Sequence, residues 1–117
     1  MGTGKVDAGC IFCQIIAGQI PSTTVSDGDD YRAIRDVNPQ APTHILIVPR
    51  DHYADVCEVE DAGLLGRLFQ AAASVAKSEG LDSGFRLVVN TGAQAGQTVF
   101  HLHIHLLGGR SMHWPPG

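Results

Sequence analysis

The sequence predicts an α+β domain built around one mostly antiparallel sheet, with one long helix and a short N-terminal helix. Short apolar runs separated by glycine, proline and aspartate turns supply the strands. One long stretch with apolar residues at helical spacing supplies the main helix. Near the C-terminus, His101, His103 and His105 alternate with Leu102, Ile104 and Leu106, the period of a strand with one buried face.

The elements follow in order. Residues 1–9 are polar and glycine-rich and are expected as a disordered lead-in to a single domain over residues 10–117. Cys10 to Ala17, with Ile11, Phe12, Ile15 and Ile16 apolar, fits two turns of amphipathic helix ending at Gly18. Thr23 to Ser26 and Tyr31 to Arg35 form a hairpin about the turn Asp27-Gly28-Asp29-Asp30. Asn38 to Pro42 is a loop, because its two prolines exclude a regular ladder. Ile45 to Val48, apolar throughout, reads as a central strand stopped by Pro49. Between Glu60 and Glu79, Leu64, Leu65, Leu68, Phe69, Ala72, Val75 and Ala76 form the stripe of a core-covering helix that Gly80 ends. Phe85 to Asn90 is the next strand, Thr91 to Gln97 a glycine-bearing loop, and Val99 to Leu107 the histidine strand.

Composition narrows the function. A chain of 117 residues holds one core. A formal charge of −4 leaves no basic footprint for duplex nucleic acid, although a local cluster of donors can still hold a small anion. No apolar run reaches a membrane span, and the N-terminus lacks the apolar stretch of a secretory signal, so a cytoplasmic protein without membrane contact is expected. Three cysteines, an odd number, argue against a disulfide framework, and Cys57 is expected as an inert buried or half-buried thiol.

Half of the six histidines sit in the terminal strand, where imidazole can act as nucleophile, proton donor or metal ligand near neutral pH. A nucleophilic histidine needs its second ring nitrogen fixed by an acceptor, and an electrophile held by donors. Lysine and arginine are scarce nearby, so the loop Asn90 to Thr98 must carry that load. Its glycines can turn successive N–H groups toward an anion, and Asn90, Gln97 and Thr98 add side-chain donors. Asp36 can accept two ribose hydroxyls or simply bond its own turn. Cys10-Ile11-Phe12-Cys13 suits zinc, with two further ligands drawn from His44, His52 and His101, or else holds two reduced thiols on a packed helix. A zinc hydrolase using His103 and His105 with a third ligand such as His52 is a competing chemistry.

Taken together, His101 to Leu107, Asp36-Val37-Asn38-Pro39-Gln40-Ala41-Pro42-Thr43-His44, Asn90-Thr91-Gly92, Gly96 to Val99 and the closing Gly108 to Gly117 resemble the histidine-triad superfamily, specifically its Hint branch. The resemblance implies a homodimer whose two five-stranded sheets join into a ten-stranded one. It implies hydrolysis of purine nucleotide derivatives of AMP or GMP, such as nucleoside phosphoramidates and aminoacyl adenylates, with release of the monophosphate. His103 forms a covalent nucleotidyl intermediate in that scheme, His105 contacts the phosphate, His101 orients His103, and Thr98 lies near the leaving group. Asp36, Val37, Asn90, Gly96, Gln97, Thr98 and Val99, with His103 and His105, bind the nucleotide. Trp114 approaches the partner's pocket. No cofactor serves the chemistry, but related members imply a structural zinc on Cys10, Cys13, His44 and His101. A nucleotide-sensing dimer with little turnover is the alternative.

Overall fold

The computed structural model describes residues 5–117. Among these residues five strands form one sheet: β1 (Thr24–Asp27), β2 (Tyr31–Arg35), β3 (Thr43–Pro49), β4 (Phe85–Val88) and β5 (Ile104–Gly108). Their spatial order is β1-β2-β3-β5-β4, and every neighbouring pair is antiparallel. Helix α1 (Ile11–Ile16) precedes the sheet, and helix α2 (Ala62–Ser78) crosses from β3 to β4.

Period-two alternation divides β2 and β3 between the two faces. Ala33, Ile45 and Ile47 join Leu102, Ile104 and Leu106 under α2, whereas Ile34, Leu46 and Val48 pack against Phe12 and Ile15 of α1. Burial of a core aliphatic such as Leu68 or Ile104 contributes about 1.5–3 kcal/mol each. The face under α2 is almost wholly apolar; the face toward α1 carries the polar chemistry.

Helix α2 starts where Asp61 accepts the Gly63 N–H at 2.9 Å and ends as Gly80, at φ 74°, turns the chain so that the Leu81 N–H reaches the Ala76 carbonyl. Its buried face is Leu64, Leu68, Ala71, Ala72, Val75 and Ala76. Phe69, expected in the stripe, is 43% exposed, because the sheet meets the helix one residue column away, through Ala71.

Three expectations change. The regular ladder of the histidine strand begins at Ile104 rather than Val99, since the Leu102 N–H is taken by the Tyr53 carbonyl at 2.7 Å. Residues 5–9 make specific contacts: the His52 N–H donates to the Lys5 carbonyl, and the Asp7 N–H reaches Cys13 Sγ. Residues 1–4 of the expected lead-in lie outside the described region. Cys57 is exposed, on a single 3₁₀ turn, rather than buried.

Candidate active site and metal centre

The antiparallel register of β3 and β5 decides which histidines meet. Leu46 pairs with His105 and His44 with Leu107, so His44 and His105 are diagonal neighbours on the α1 face. The same register carries His101, ahead of β5, past the far end of β3, where His52 lies. Two groups of histidines result, at opposite ends of one strand pair.

In the first group, backbone partners fix the protons. The His101 carbonyl can only accept, so His103 Nδ1, 2.7 Å away, carries the hydrogen, and the neutral ring keeps its lone pair on Nε2. Burial holds His103 below the ordinary imidazole range, against the opposing pull of that hydrogen bond and of Asp36. Phe12 packs edge-on to the ring at 5.1 Å between centroids. The result is a neutral, oriented imidazole with a free Nε2. It is the backbone carbonyl of His101, rather than its ring, that orients His103.

His44 and His105 have the opposite polarity. The Gln40 N–H donates to His44 Nδ1 at 3.0 Å, so the hydrogen of neutral His44 lies on Nε2. That hydrogen points at His105 Nδ1, 2.9 Å away, with Asp36 Oδ2 at 3.4 Å. His105 therefore accepts at Nδ1 and carries its own hydrogen on Nε2. Burial, then the neighbouring His103 and His44, push His105 down to about 4, and burial likewise lowers His44. One ring of the pair His103 and His105 offers a lone pair and the other a donor. Their centroids are 4.9 Å apart.

The second group holds Cys10, Cys13, His52 and His101. Their ligand atoms all lie within 4.8 Å of one another. His101 Nδ1 is 3.2 Å from Cys10 Sγ, 3.6 Å from Cys13 Sγ and 3.1 Å from His52 Nδ1. The Pro49 carbonyl accepts from His101 Nε2 at 2.9 Å, which leaves Nδ1 as a lone pair aimed into the cluster. Two sulfurs and two imidazole nitrogens are a donor set that fits a zinc ion, and the Pro49 carbonyl supplies the outer hydrogen bond to His101. His52, and not the expected His44, stands with the two cysteines and His101, because the register puts His44 at the other end of β3, where both its nitrogens are engaged. Asp36, His44 and His105 also cluster, but the hydrogen on His44 Nε2 unfits that trio for a metal. His52 belongs with the cysteines and not with His103 and His105.

A cavity of about 600 Å³ opens beside the first group. Asp36, Val37, Gly96, Thr98, Val99, His103 and His105 all line it, as do Phe12, Ile15 and Ile34. Asp36 also bonds its own turn, accepting the Asn38 N–H at 2.8 Å, so both readings of that residue have a geometric basis. Asn90 and Gln97 do not line the cavity; Gln97 is buried beneath the loop. Trp114 stands 83% exposed on the C-terminal tail, which Arg86 anchors at the His113 carbonyl. A second cleft of about 610 Å³, between Gly80–Arg86 and Gly109–Met112, adjoins none of the histidines described above. No helix among the described residues is long and apolar enough to cross a membrane.

Residues 17–112 match the model of the HIT domain family. The chain is 50% identical over 111 residues to a 14 kDa zinc-binding protein of Brassica juncea, covering 92% of this chain and 98% of that one. It is 49% identical over 115 residues to adenylylsulfatase HINT1 of Arabidopsis thaliana, covering 95% of this chain and 78% of that one. Among solved structures, a HIT family hydrolase from Legionella pneumophila superposes with a TM-score of 0.90 at 47% identity, covering 93% of this chain and all of the other.

Proposed function

This chain belongs to the HIT domain family, and from that premise we propose that it hydrolyses purine nucleotides bearing a leaving group on the α-phosphorus, through a nucleotidyl intermediate on His103. The observation that carries this reading is the pairing of a free His103 Nε2 with the hydrogen on His105 Nε2 at one cavity. The first can attack phosphorus; the second donates to a phosphate oxygen as negative charge builds there. The name of the Arabidopsis thaliana relative, an adenylylsulfatase, supports an adenylyl group as the piece retained.

In the first step the Nε2 lone pair of His103 forms a bond to the α-phosphorus and the bond to the leaving group breaks. An amine leaves with a proton from solvent; an acyl or sulfate group leaves as its anion. In the second step a water oxygen attacks phosphorus, the Nε2–phosphorus bond breaks, and the water's proton passes to solvent. The monophosphate is released and His103 is again neutral.

Asp36, at the cavity wall, is placed to accept ribose hydroxyls with the lone pairs its turn leaves over, and the apolar wall of Phe12, Ile15 and Ile34 suits a purine. Val37, Gly96, Thr98 and Val99 frame the phosphate and sugar, Thr98 on the leaving-group side. Asn90, which follows β4 and does not line the cavity, is proposed as a further donor to the phosphate. Cys10, Cys13, His52 and His101 would hold zinc in a structural role: four protein ligands leave no open position, and a bound ion would brace the segment whose His101 carbonyl orients His103. The brassica relative's name, a zinc-binding protein, supports that reading.

The functional unit is a homodimer, in which β4, an edge strand, continues the sheet into a partner and the Trp114 tail reaches the partner's pocket. A sensor with little turnover needs no nucleophile and donor so paired, which weighs against it. Release of AMP from an adenosine phosphoramidate tests the activity. Tight AMP binding without turnover would convert the protein into a sensor.

A further inference from the structure

We propose that Gln97 is a positioning residue that shapes the phosphate-facing loop from beneath, by tying it to the segment that follows β3. The inference rests on the nucleotide-hydrolase reading for its consequence, but its geometric core stands apart from it. Gln97 is 3% exposed, an unusual place for a side-chain amide in a loop beside a cavity. An amide that a glycine-rich loop would offer to a ligand is here engaged internally.

Its three hydrogen bonds permit one orientation. Oε1 accepts the Gly92 N–H at 2.8 Å, and Nε2 donates to the Ala54 carbonyl at 2.8 Å and the Val99 carbonyl at 3.1 Å. Backbone groups of fixed polarity thus occupy both amide hydrogens and one oxygen lone pair. The loop is otherwise wound upon itself: Ala95 and Gln97 donate to the Gly92 carbonyl, and Gly96 to the Ala93 carbonyl. Gly92 and Gly96, at φ 87° and 93°, give it a bend that side-chain-bearing residues resist. The bond to Ala54 anchors this unit outside itself. Ala54 is itself fixed, since Tyr53 before it accepts from Leu102 at 2.7 Å and His52 belongs to the cysteine cluster. Gly96 and Thr98, on either side of Gln97, face the cavity. The buried amide thus sets where the cavity wall stands.

Gln97→Met keeps the length and bulk of the side chain and removes all three bonds; Gln97→Glu keeps an acceptor for the Gly92 N–H but turns an oxygen toward the Ala54 and Val99 carbonyls. Hydrogen exchange of the ligand-free protein, read at residues 92–99 and in α2, is combined with AMP affinity by calorimetry. The Met variant should lose about tenfold of protection at Gly92, leave α2 unchanged and bind AMP about tenfold more weakly. The Glu variant should lose at least as much Gly92 protection, since the bonds to Ala54 and Val99 are replaced by contacts between acceptors. Unchanged loop exchange with weakened AMP binding would make Gln97 a direct ligand contact and overturn the proposal. An equal rise of exchange in α2 would make the residue a general stability element and overturn it too. Should the wild type bind no AMP, the nucleotide reading fails, while exchange in the ligand-free loop still decides the role of Gln97.

Discussion

His44 Nε2 stands 2.9 Å from His105 Nδ1, and the Gln40 N–H, 3.0 Å from His44 Nδ1, dictates which of the two rings donates. A backbone amide in a proline-rich loop thereby sets the protonation of an imidazole on the neighbouring strand. Replacing His44 by Ala frees His105 to adopt either tautomer. Its kcat with an adenosine phosphoramidate should fall by about 10–100-fold while KM changes little, because the donor matters most as charge develops. Steady-state kinetics reads the split; an unchanged kcat removes His44 from the network.

Metal content separates the two histidines at either end of β3. Cys10→Ser and His52→Ala should each abolish bound zinc and lower Tm by more than about 5 °C, whereas His44→Ala should keep full zinc occupancy. Elemental analysis of the purified variants, with thermal melts, makes the comparison. Zinc lost from the His44 variant and kept by the His52 variant restores the ligand set expected from sequence.

Acid should weaken the fold in a defined window. Burial holds His105 at about 4 in the folded protein, below its ordinary value of 6.5, so the unfolded chain binds the proton more readily. The contribution of the neutral ring is complete above pH 6.5 and is lost as pH falls toward 4. Tm should decline across that interval, and less steeply in His105→Asn. Parallel profiles for variant and wild type would show that other groups govern the acid limb.

The core should respond as a packed one. Leu68 is fully buried between α2 and the sheet, and Leu68→Ala should cost about 2–5 kcal/mol in chemical denaturation. A loss below 1 kcal/mol, roughly half the low end of that range, would indicate that the helix does not seat on the sheet as described.

Local patterns carried most of the fold. The alternation from Leu102 to Leu106, the apolar run at Ile45–Val48 and the spacing from Leu64 to Ala76 each name their element, because a buried face imposes a period on the residues beneath it. What was not legible depends on pairing. His44, His52 and His101 are equally plausible ligands in one dimension. Only the β3–β5 register, in which Ile47 meets Ile104 and His44 meets Leu107, sends His101 toward His52. Gln97 misleads for a related reason: an amide in a glycine-rich loop reads as a donor to ligand until three backbone partners claim it. Cys57 follows no period at all. Its exposure comes from a 3₁₀ turn capped by Asp55.

In the proposed reaction His103 Nε2 becomes bonded to phosphorus. Intact-mass analysis of acid-quenched protein, within milliseconds to seconds of mixing with an adenosine phosphoramidate, looks for that bond. A single AMP-sized adduct should form, map to His103 by fragmentation, and be absent from His103→Ala. Rapid substrate consumption with unmodified protein at every time point, or an adduct on any other residue, contradicts it.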